Sequence, residues 1–416
     1  MAINIKVTAG LDIGNGYIKG AVKTNDSKNV ISIDMPSCVG VVPNPIDFPA
    51  SDLNEEIANI YNQAYVKFDS PIVGGAFGDT RMYFGKRAVA SGKSLEVFDI
   101  GSNVSKAEQS LSSILVLGTI ASAALQGYYN EHKALPEEQL SVSAYVALAL
   151  PITEFKEYKD FFAKKFMSHT HLVCFHNFEK PVRVEIKFPA VRVLAEGASA
   201  QVAIVNKGEP FMNALLADVR KHGIALDGIV AKDVLSAEGT LGIDIGEGTV
   251  NNPAFSGRKF NTDFSANINM GYGTVLENSL PALRQNKIND FSDRKALAEF
   301  LQKKPSALTR NKYNRVKQIV DNESQALVSV IVKEFTRIMN KSNGQIEVVY
   351  VYGGGATPIK DLLYPALINA AKSFAAGGDF PILYLDSSYS RYLNREGLFQ
   401  LASVMSNQTA GQIQGK

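Results

Sequence analysis

Short runs of apolar residues recur along the chain, and they predict the strands of a sheet. Three follow one another near the N-terminus, at Ile5–Asp12, Tyr17–Lys23 and Val30–Asp34. Two more lie in the second half, at Leu241–Ile245 and Val348–Tyr352. Runs of this length that are rich in β-branched and aromatic residues are typical of buried strands.

Longer apolar patterns predict helices. Ile114–Leu125 is the most apolar stretch, but it is too short to span a bilayer, so it predicts a buried core helix. Between Glu323 and Met339 apolar residues recur about every 3.6 positions, which predicts a helix with one buried face. A last helix is expected after the strand Pro381–Asp386, and it extends to about Met405.

One strand motif occurs twice. The sequence TAGLDIGNGY at Thr8–Tyr17 matches TLGIDIGEGT at Thr240–Thr249, and the copies lie 232 residues apart. That separation indicates a duplicated domain rather than a short structural repeat. The identical positions are Thr8/Thr240, Gly10/Gly242, Asp12/Asp244, Ile13/Ile245, Gly14/Gly246 and Gly16/Gly248.

Each copy predicts a strand that ends in an aspartate, followed by a tight turn and a second strand. A Gly-x-Gly turn requires a positive φ or a close backbone approach. Its successive N–H groups form a concave site for an anion. Two such turns facing each other would hold a polyphosphate from both sides. The turn residues are Gly14, Asn15 and Gly16 in the first copy and Gly246, Glu247, Gly248 and Thr249 in the second.

A third glycine cluster follows the strand Val348–Tyr352. Gly353, Gly354 and Gly355 form the turn, and Thr357 with Pro358 is expected to open a helix. A strand, a glycine turn and a helix N-terminus together are a common nucleotide-binding arrangement. A simple tight turn is the alternative for any one cluster, but the three clusters in this order favour a nucleotide site.

Length and charge limit the classes of function that this protein can have. The 416 residues are enough for two or three domains, and 43 Lys+Arg balance 41 Asp+Glu. Because a nucleic-acid binder usually has a basic excess, we expect no direct nucleic-acid binding. The two cysteines, Cys38 and Cys174, predict no disulfide framework. With neither a signal peptide nor a membrane segment expected, the prediction is a cytoplasmic protein.

Two other features have ordinary explanations. His169, His171, Cys174 and His176 lie close together, but on a strand the first two would point away from the last two, so no zinc site is expected. The basic stretch Ser292–Val320 is interpreted as a solvated helix face. A subunit contact or a wall of an adenine pocket remains an alternative for that stretch.

Taken in order, these motifs resemble the actin, sugar-kinase and heat-shock-chaperone ATPase superfamily. Gly353–Pro358 is similar to its adenosine motif, and Val146–Thr153 and Val193–Val202 are similar to its two connecting segments. The matches extend over residues 5 to 363, and their spacing most resembles bacterial plasmid-segregation actins of the ParM type. The resemblance implies an α/β, actin-like fold of duplicated ribonuclease-H-like domains, with two halves around a central nucleotide cleft and a smaller insertion in each.

The resemblance also implies domain boundaries. The first half would be 1–190, with its insertion at about 36–106, and the second half 191–386, with its insertion at about 257–320. Residues 387–405 would form a C-terminal helix that returns to the first half, and 406–416 a disordered tail.

This sequence departs from the superfamily pattern after the second turn. Chaperones and many kinases carry an acidic residue there, whereas this chain has Val250, Asn251 and Asn252. Any role of that acid is therefore in doubt here. Ile268–Leu276, which includes Gly271, occupies the place of a helix start that contacts the ribose and base, and its match is loose.

The implied cofactors are ATP and Mg²⁺. Asp12 and Asp244 would bind the metal through water, because Mg²⁺ retains several of its waters. Lys19 corresponds to a phosphate-binding lysine, and Glu196 to the residue that orients the attacking water. The ordinary alternatives are acids at strand ends for the aspartates, an exposed strand lysine for Lys19 and a first-turn helix acid for Glu196.

The implied function is a bacterial ATPase that forms homopolymeric filaments and segregates plasmid DNA through a DNA-binding adaptor. Hydrolysis without a covalent step would be slow and would time the life of the filament. A small-molecule kinase of the same superfamily is the main alternative, although the chain lacks the cysteine-rich zinc signature of the sugar-kinase branch. A chaperone-like ATPase and a membrane-bound filament are less favoured, since neither a substrate domain nor an amphipathic anchor is predicted.

Overall fold

The chain folds into two compact units in the computed structural model. Unit 1 consists of Met1–Ser199 and Asn394–Lys416, and unit 2 of Ala200–Leu393. The structure describes residues 4–25, 27, 29–46, 49–78, 80–99, 104–226, 228–375, 379–385, 387–390 and 392–414.

Unit 1 is built on a single mixed sheet. Among the described residues its strand order is β3-β2-β1-β8-β10-β9-β5-β6-β4-β7, with β1 antiparallel to β2 and parallel to β8. The predicted N-terminal strands are confirmed as β1, β2 and β3. The strands are β1 (Asn4–Ile13), β2 (Tyr17–Thr24), β3 (Ile31–Pro36), β4 (Val39–Val42), β5 (Tyr65–Asp69), β6 (Arg81–Phe84), β7 (Leu95–Glu96), β8 (Leu140–Leu150), β9 (His171–Phe175) and β10 (Val182–Ala195).

The region 36–106, predicted as an insertion, extends this sheet. Strands β4 to β7 all come from that region, and β5 joins the sheet by pairing with β9. Short helices connect these strands and the longer helices cover the sheet. They are α1 (Leu53–Ala58), α2 (Ile60–Gln63), α3 (Gly85–Ala90), α4 (Ser110–His132), α5 (Ile152–Met167), and a 3₁₀ turn at Gly75–Phe77.

The long helix α4 is the centre of the unit 1 core. Its side chains between Leu111 and Leu125 are buried together with those of β1, β8 and β10. This confirms the buried core helix predicted from Ile114–Leu125. Within the described part of the chain, α4 alone is long and apolar enough to cross a membrane, and almost all of it lies inside the unit. Its burial is that of a core helix.

Unit 2 repeats the start of unit 1. Strand β11 pairs with β12 in an antiparallel hairpin, as β1 pairs with β2, and it lies parallel to β16. The strands described in this unit are β11 (Thr240–Ile245), β12 (Val250–Asn252), β13 (Ala254–Ser256), β14 (Lys259–Phe260), β15 (Ala266–Ile268), β16 (Val348–Tyr352) and β17 (Ile382–Tyr384). Asp386, the predicted end of the last strand, lies outside the described residues.

The helices of unit 2 pack around this sheet. α6 (Ala198–Asn206) leads from unit 1 into unit 2. The remaining helices are α7 (Gly208–Lys221), α8 (Ala231–Ser236), α9 (Tyr272–Gln285), α10 (Arg294–Gln302), α11 (Arg310–Ser342), α12 (Lys360–Ala371), α13 (Ser387–Ser390), and a 3₁₀ turn at Thr357–Ile359.

Helix α11 contains the helix predicted at Glu323–Met339. The apolar face proposed there is buried, and it includes Leu327, Ile331 and Phe335. The helix begins earlier than predicted, at Arg310, so it also takes up the end of the basic stretch.

Two boundaries in the structure differ from the predicted ones. The units divide between Ser199 and Ala200 rather than between 190 and 191, because β10 continues to Ala195 and stays paired with β8. The last helix, α14 (Leu393–Gln414), continues through residues that were predicted as the disordered tail 406–416. The predicted helix 387–405 therefore starts later and ends later; residues 415 and 416 lie outside the described part.

Hydrogen bonds explain why the last helix continues. The hydroxyl of Thr8 donates to the Ser406 hydroxyl (3.0 Å), and the Lys6 ammonium donates to the Ser406 carbonyl oxygen (2.7 Å). Leu398 and Ala402 of α14 are also fully buried, in a cluster with Ala147 and Ala149 of β8. The start of β1 and the surface of β8 therefore hold α14 in place.

Candidate functional site

The first repeated turn joins β1 to β2. The Gly14 N–H donates to the Tyr17 carbonyl oxygen (3.0 Å), and Asp12 lies opposite Lys19 in the strand register. A Cβ at Gly14 would lie 2.9 Å from that same oxygen. The turn therefore needs glycine because of the close backbone approach, whereas its φ is not positive. Asn15 and Gly16 are exposed at the tip.

The second repeated turn has the same construction between β11 and β12. The Gly246 N–H donates to the Thr249 carbonyl oxygen (2.9 Å), and a Cβ at Gly246 would lie 3.0 Å from it. Asp244 occupies the register position of Asp12, but its partner across the hairpin is Asn251 rather than a lysine. Glu247 and Gly248 are exposed at the tip. The duplicated sequence thus gives a duplicated backbone geometry.

Asp12 lies near two lysines and one glutamate in unit 1. Burial raises the pKa of the Asp12 carboxyl, Lys19 and Lys106 oppose that rise, and Glu196 adds to it. A carboxylate whose charged form is disfavoured gains stability from an added cation. At the end of β1 this carboxylate lies among two lysines and one glutamate.

Glu196 follows directly after β10 in unit 1. Its peptide N–H donates to the Leu150 carbonyl oxygen (2.7 Å), so its backbone is held at the end of β8. Its carboxylate receives the Lys106 ammonium at 3.0 Å. The predicted residues Asp12, Lys19 and Glu196 therefore belong to one charged cluster.

Lys106 is a member of this cluster that sequence reasoning missed. It lies ahead of α4, outside the repeated turns and the glycine clusters, and its place in the possible capping box Ser105–Glu108 did not distinguish its side chain from that of other lysines. Its side chain is only 7% exposed, which is unusual for lysine and implies a partner of opposite charge.

In unit 2 the start of α9 is bound to the second turn. The Tyr272 N–H donates to the Gly246 carbonyl oxygen (3.0 Å), and the Gly273 N–H donates to that of Glu247 (2.8 Å). A Cβ at Gly271 would lie 2.4 Å from the Glu247 carbonyl oxygen. Gly271, which the sequence matched only loosely, thus lies directly against the turn.

The third glycine cluster packs on the same turn. The Gly355 N–H donates to the Ile245 carbonyl oxygen (2.8 Å), and Gly353 has a φ of +99°. Gly354 and Thr357 are exposed. Thr357 begins a 3₁₀ turn rather than an α-helix, and α12 starts only at Lys360. Three glycine segments that are distant in sequence therefore meet in unit 2.

The segment that follows the second turn carries two amide side chains, at Asn251 and Asn252. Asn251 and Asn252 are both buried. Within the part of the chain that the structure describes, Oδ1 of Asn251 and both amide atoms of Asn252 have no hydrogen-bond partner. Asp244 is also buried, with its carboxylate beside Gly353. The buried polar side chains of this hairpin therefore include one carboxylate, at Asp244, and the neutral amides of Asn251 and Asn252 beside it.

Glu247 and the basic stretch interact with each other. The Arg294 guanidinium lies 3.0 Å from the Glu247 carboxylate, and both side chains are largely exposed. Lys312 pairs with Asp290 and Lys317 with Asp321. At least part of the stretch 292–320 therefore consists of solvated ion pairs, as interpreted from the sequence.

The carboxylates suit a magnesium ion that is brought by a ligand. Among the described residues, no group of three or more histidine, cysteine or acidic side chains could hold a metal. Mg²⁺ keeps several waters and commonly binds through one or two carboxylates together with substrate phosphates. Asp12 in unit 1 and Asp244 in unit 2 each lie at the end of a strand that leads into a glycine turn, and each carboxylate taken by itself has the chemistry of such a ligand.

The histidine-rich strand has a structural role. His171 is fully buried, its Nε2 lies 2.9 Å from the Phe166 carbonyl oxygen, and its Nδ1 lies 2.7 Å from the Ser70 hydroxyl. Burial lowers the pKa of this imidazole. Cys174 alternates with buried neighbours along β9 and is partly exposed.

Two family models match the chain, one in each unit. Residues 10–198 match the family described as "Actin like proteins N terminal domain". Residues 242–364 match "Archaeal actin homologue MreB-like, C-terminal". None of the curated proteins matches the chain.

Solved structures match over almost the whole length. An apo psk41 ParM protein is 17% identical with a TM-score of 0.56, and covers 98% of this chain and 99% of its own. The archaeal actin homologue Ta0583 is 12% identical with a TM-score of 0.60, covering 96% and 99%. Bacillus thuringiensis ParM with ATP is 16% identical with a TM-score of 0.59, also covering 96% and 99%. At these identities the likeness establishes the fold.

Proposed function

Because the chain belongs to the actin-like superfamily, we propose that it is a bacterial cytoplasmic ATPase that polymerises with ATP and segregates plasmid DNA through a DNA-binding adaptor. Hydrolysis would then set the lifetime of the filament.

The observation that carries the proposal is the glycine turn that the chain forms twice, once at Gly14 and once at Gly246. Each copy places an aspartate at the end of a strand, and each closes a turn with the same hydrogen bond from glycine. Exposed peptide N–H groups at such turns bind phosphate oxygens. Lys19 would add a positive charge to the phosphates, while Gly271 and Gly353–Gly355 would bind the nucleoside portion of ATP.

In the proposed reaction a water molecule attacks the terminal phosphorus of ATP. The bond from that phosphorus to the bridging oxygen breaks, its electron pair leaves with ADP, and the proton of the water passes through Glu196 to solvent or phosphate. Glu196 orients the water, and Asp12 and Asp244 would hold the metal through its bound waters. Bound Mg²⁺ would supply positive charge to the phosphate oxygens.

Charge and fold support the cellular role that is proposed. With 43 basic against 41 acidic residues, the chain has no general excess of charge for DNA binding, so an adaptor would make that contact. The fold is that of the ParM structures, and one of them was solved with ATP.

The test of assembly is light scattering, pelleting and negative-stain microscopy of the purified chain, with and without Mg-ATP. Filaments that appear only with nucleotide and decay as phosphate accumulates are the expected result. If no ATP-dependent polymer forms over the micromolar range, and turnover requires an added acceptor, the protein is a kinase instead.

The role of hydrolysis is tested with Glu196→Ala. Because this residue acts on the attacking water and not on the nucleotide, ATP should still bind while phosphate release falls by roughly 10²-fold or more. The polymer of this variant should persist after the wild-type polymer has decayed. Glu137→Ala, at an exposed loop position of the same unit, is the matched control. Joint loss of ATP binding and hydrolysis in Glu196→Ala would show that Glu196 is structural.

A further inference from the structure

The buried lysine in the charged cluster of unit 1 has no role in the reaction described so far. Nζ of Lys106 lies 3.0 Å from Oε1 of Glu196, and the two side chains are 7% and 18% exposed. A lysine this deeply buried loses most of its hydration, so its position must be stabilised by its surroundings. Glu196 is the acidic side chain with which it forms an ion pair.

The backbone of Lys106 is fixed from two helices. Its N–H donates to Oε2 of Glu154 in α5 (2.9 Å), and the Ser105 hydroxyl donates to the same oxygen. Its carbonyl oxygen accepts a hydrogen bond from the Ser112 hydroxyl in α4. The lysine is therefore presented by a rigid segment rather than by a mobile loop.

The side chain is also restricted. The Lys106 ammonium lies over the ring of Phe98, with Nζ 5.3 Å from the ring centroid. The aromatic face on one side and the Glu196 carboxylate on the other leave little choice of rotamer. A cation–π contact of this kind strengthens when it is shielded from water.

This arrangement fixes one oxygen of Glu196. The Glu196 backbone is already held by Leu150, and the Lys106 ammonium then holds Oε1. Oε2 accepts no hydrogen bond from the part of the chain that the structure describes. One oxygen is thus bound to the protein, and the other remains available to accept a hydrogen bond from a water.

We propose that Lys106 is a positioning residue for Glu196, holding one carboxylate oxygen so that the other orients the water that attacks ATP. This role rests on the proposed ATPase function. Lys106 acts through Glu196 and need not contact the nucleotide. Groups that orient a reacting residue commonly change activity by about 10- to 100-fold when they are removed.

The test compares Lys106→Gln, Lys106→Arg, Glu196→Ala and the double variant Lys106→Gln/Glu196→Ala. Phosphate release gives kcat and KM, and equilibrium titration with a fluorescent ATP analogue gives Kd. Lys156→Gln, an exposed lysine of α5, is the matched control, and thermal unfolding checks that each variant is folded.

Lys106→Gln should lower kcat by about 10- to 100-fold, while Kd changes by less than about threefold. Lys106→Arg keeps the positive charge and should recover part of the loss. In the Glu196→Ala background, Lys106→Gln should cause no further loss, because the residue through which it acts is already absent.

Three results would overturn the positioning role. The first is a Lys106→Gln variant with the kcat of the wild type. The second is an equal loss in both backgrounds, which would mean that Lys106 does not act through Glu196. The third is loss of ATP binding together with kcat. A wild-type protein with no ATP turnover would instead overturn the proposed function, and the positioning role with it.

Discussion

Gly10 lies where strand β1 meets the C-terminal helix, and replacing it with alanine tests that packing. A Cβ at this position would lie 2.1 Å from the backbone nitrogen of Phe399 and 2.6 Å from the Leu398 carbonyl carbon. Both neighbours are backbone atoms, so no side-chain rotation can relieve the overlap. Helix α14 would have to retreat by about 1 Å.

The cost can be estimated from what this movement disturbs. Overpacking of a tight interior commonly costs about 1–3 kcal/mol. The two hydrogen bonds to Ser406 contribute about 1 kcal/mol each, and they weaken as the helix moves. The buried contact of Leu398 and Ala402 with β8 is loosened as well. We expect unit 1 to lose about 3 kcal/mol, which lowers its melting temperature by roughly 6–12 °C.

The assay is thermal unfolding of Gly10→Ala, together with hydrogen exchange of the peptide that contains Leu398–Ser406. Faster exchange in that peptide should accompany the lower melting temperature. Gly74→Ala is the control, because a Cβ there meets no atom within 4 Å and the residue has a φ of −99°. If Gly10→Ala and Gly74→Ala melt within about 1 °C of each other, the close packing of α14 on β1 is refuted.

Three further predictions concern the turns. Asp12→Asn should stabilise the nucleotide-free protein by about 0.5–2 kcal/mol at pH 7, because burial raises the pKa of Asp12 and so disfavours its charged form. The stability difference between Asp12→Asn and the wild type should shrink as the pH falls through the raised pKa, and it should vanish below the ordinary value of 3.8. Urea unfolding at several pH values measures this difference. A stability difference that does not change with pH would contradict the prediction. Gly271→Ala should weaken ATP binding by about 10-fold or more, since its Cβ would lie 2.4 Å from the Glu247 carbonyl oxygen, and an unchanged Kd in a nucleotide titration would argue against α9 as part of the site. Asp244→Ala should abolish hydrolysis and weaken magnesium-dependent ATP binding, and turnover equal to that of the wild type would remove Asp244 from the site.

Elements that depend only on neighbouring residues could be predicted from the sequence. The turn at Gly14 closes through a hydrogen bond to Tyr17, and its copy at Gly246 closes through one to Thr249. Both bonds join residues three positions apart, so a repeated sequence was enough to predict a repeated geometry. The buried face of α11 was predicted for the same kind of reason, because it follows from the period of the helix.

Contacts between segments that are distant in sequence could be read only from the folded chain. Lys106 and Glu196 are 90 positions apart, and nothing in the sequence near Lys106 indicated that its ammonium would be buried against a carboxylate. The sequence of the region 36–106 likewise did not indicate that its strands would lengthen the main sheet, which they do because β5 pairs with β9.

The duplicated glycines Gly10 and Gly242 show most clearly the difference between what a local sequence specifies and what the folded chain adds. Their sequences are equivalent, and both require a residue without a side chain. At Gly10 the neighbour is the backbone of α14, whereas at Gly242 a Cβ would meet the Tyr352 hydroxyl at 2.3 Å. A local pattern specifies the conformation of a strand and its turn, since those depend on neighbouring residues. Which atoms cover that strand depends on where the rest of the chain returns, and only the folded structure contains that information.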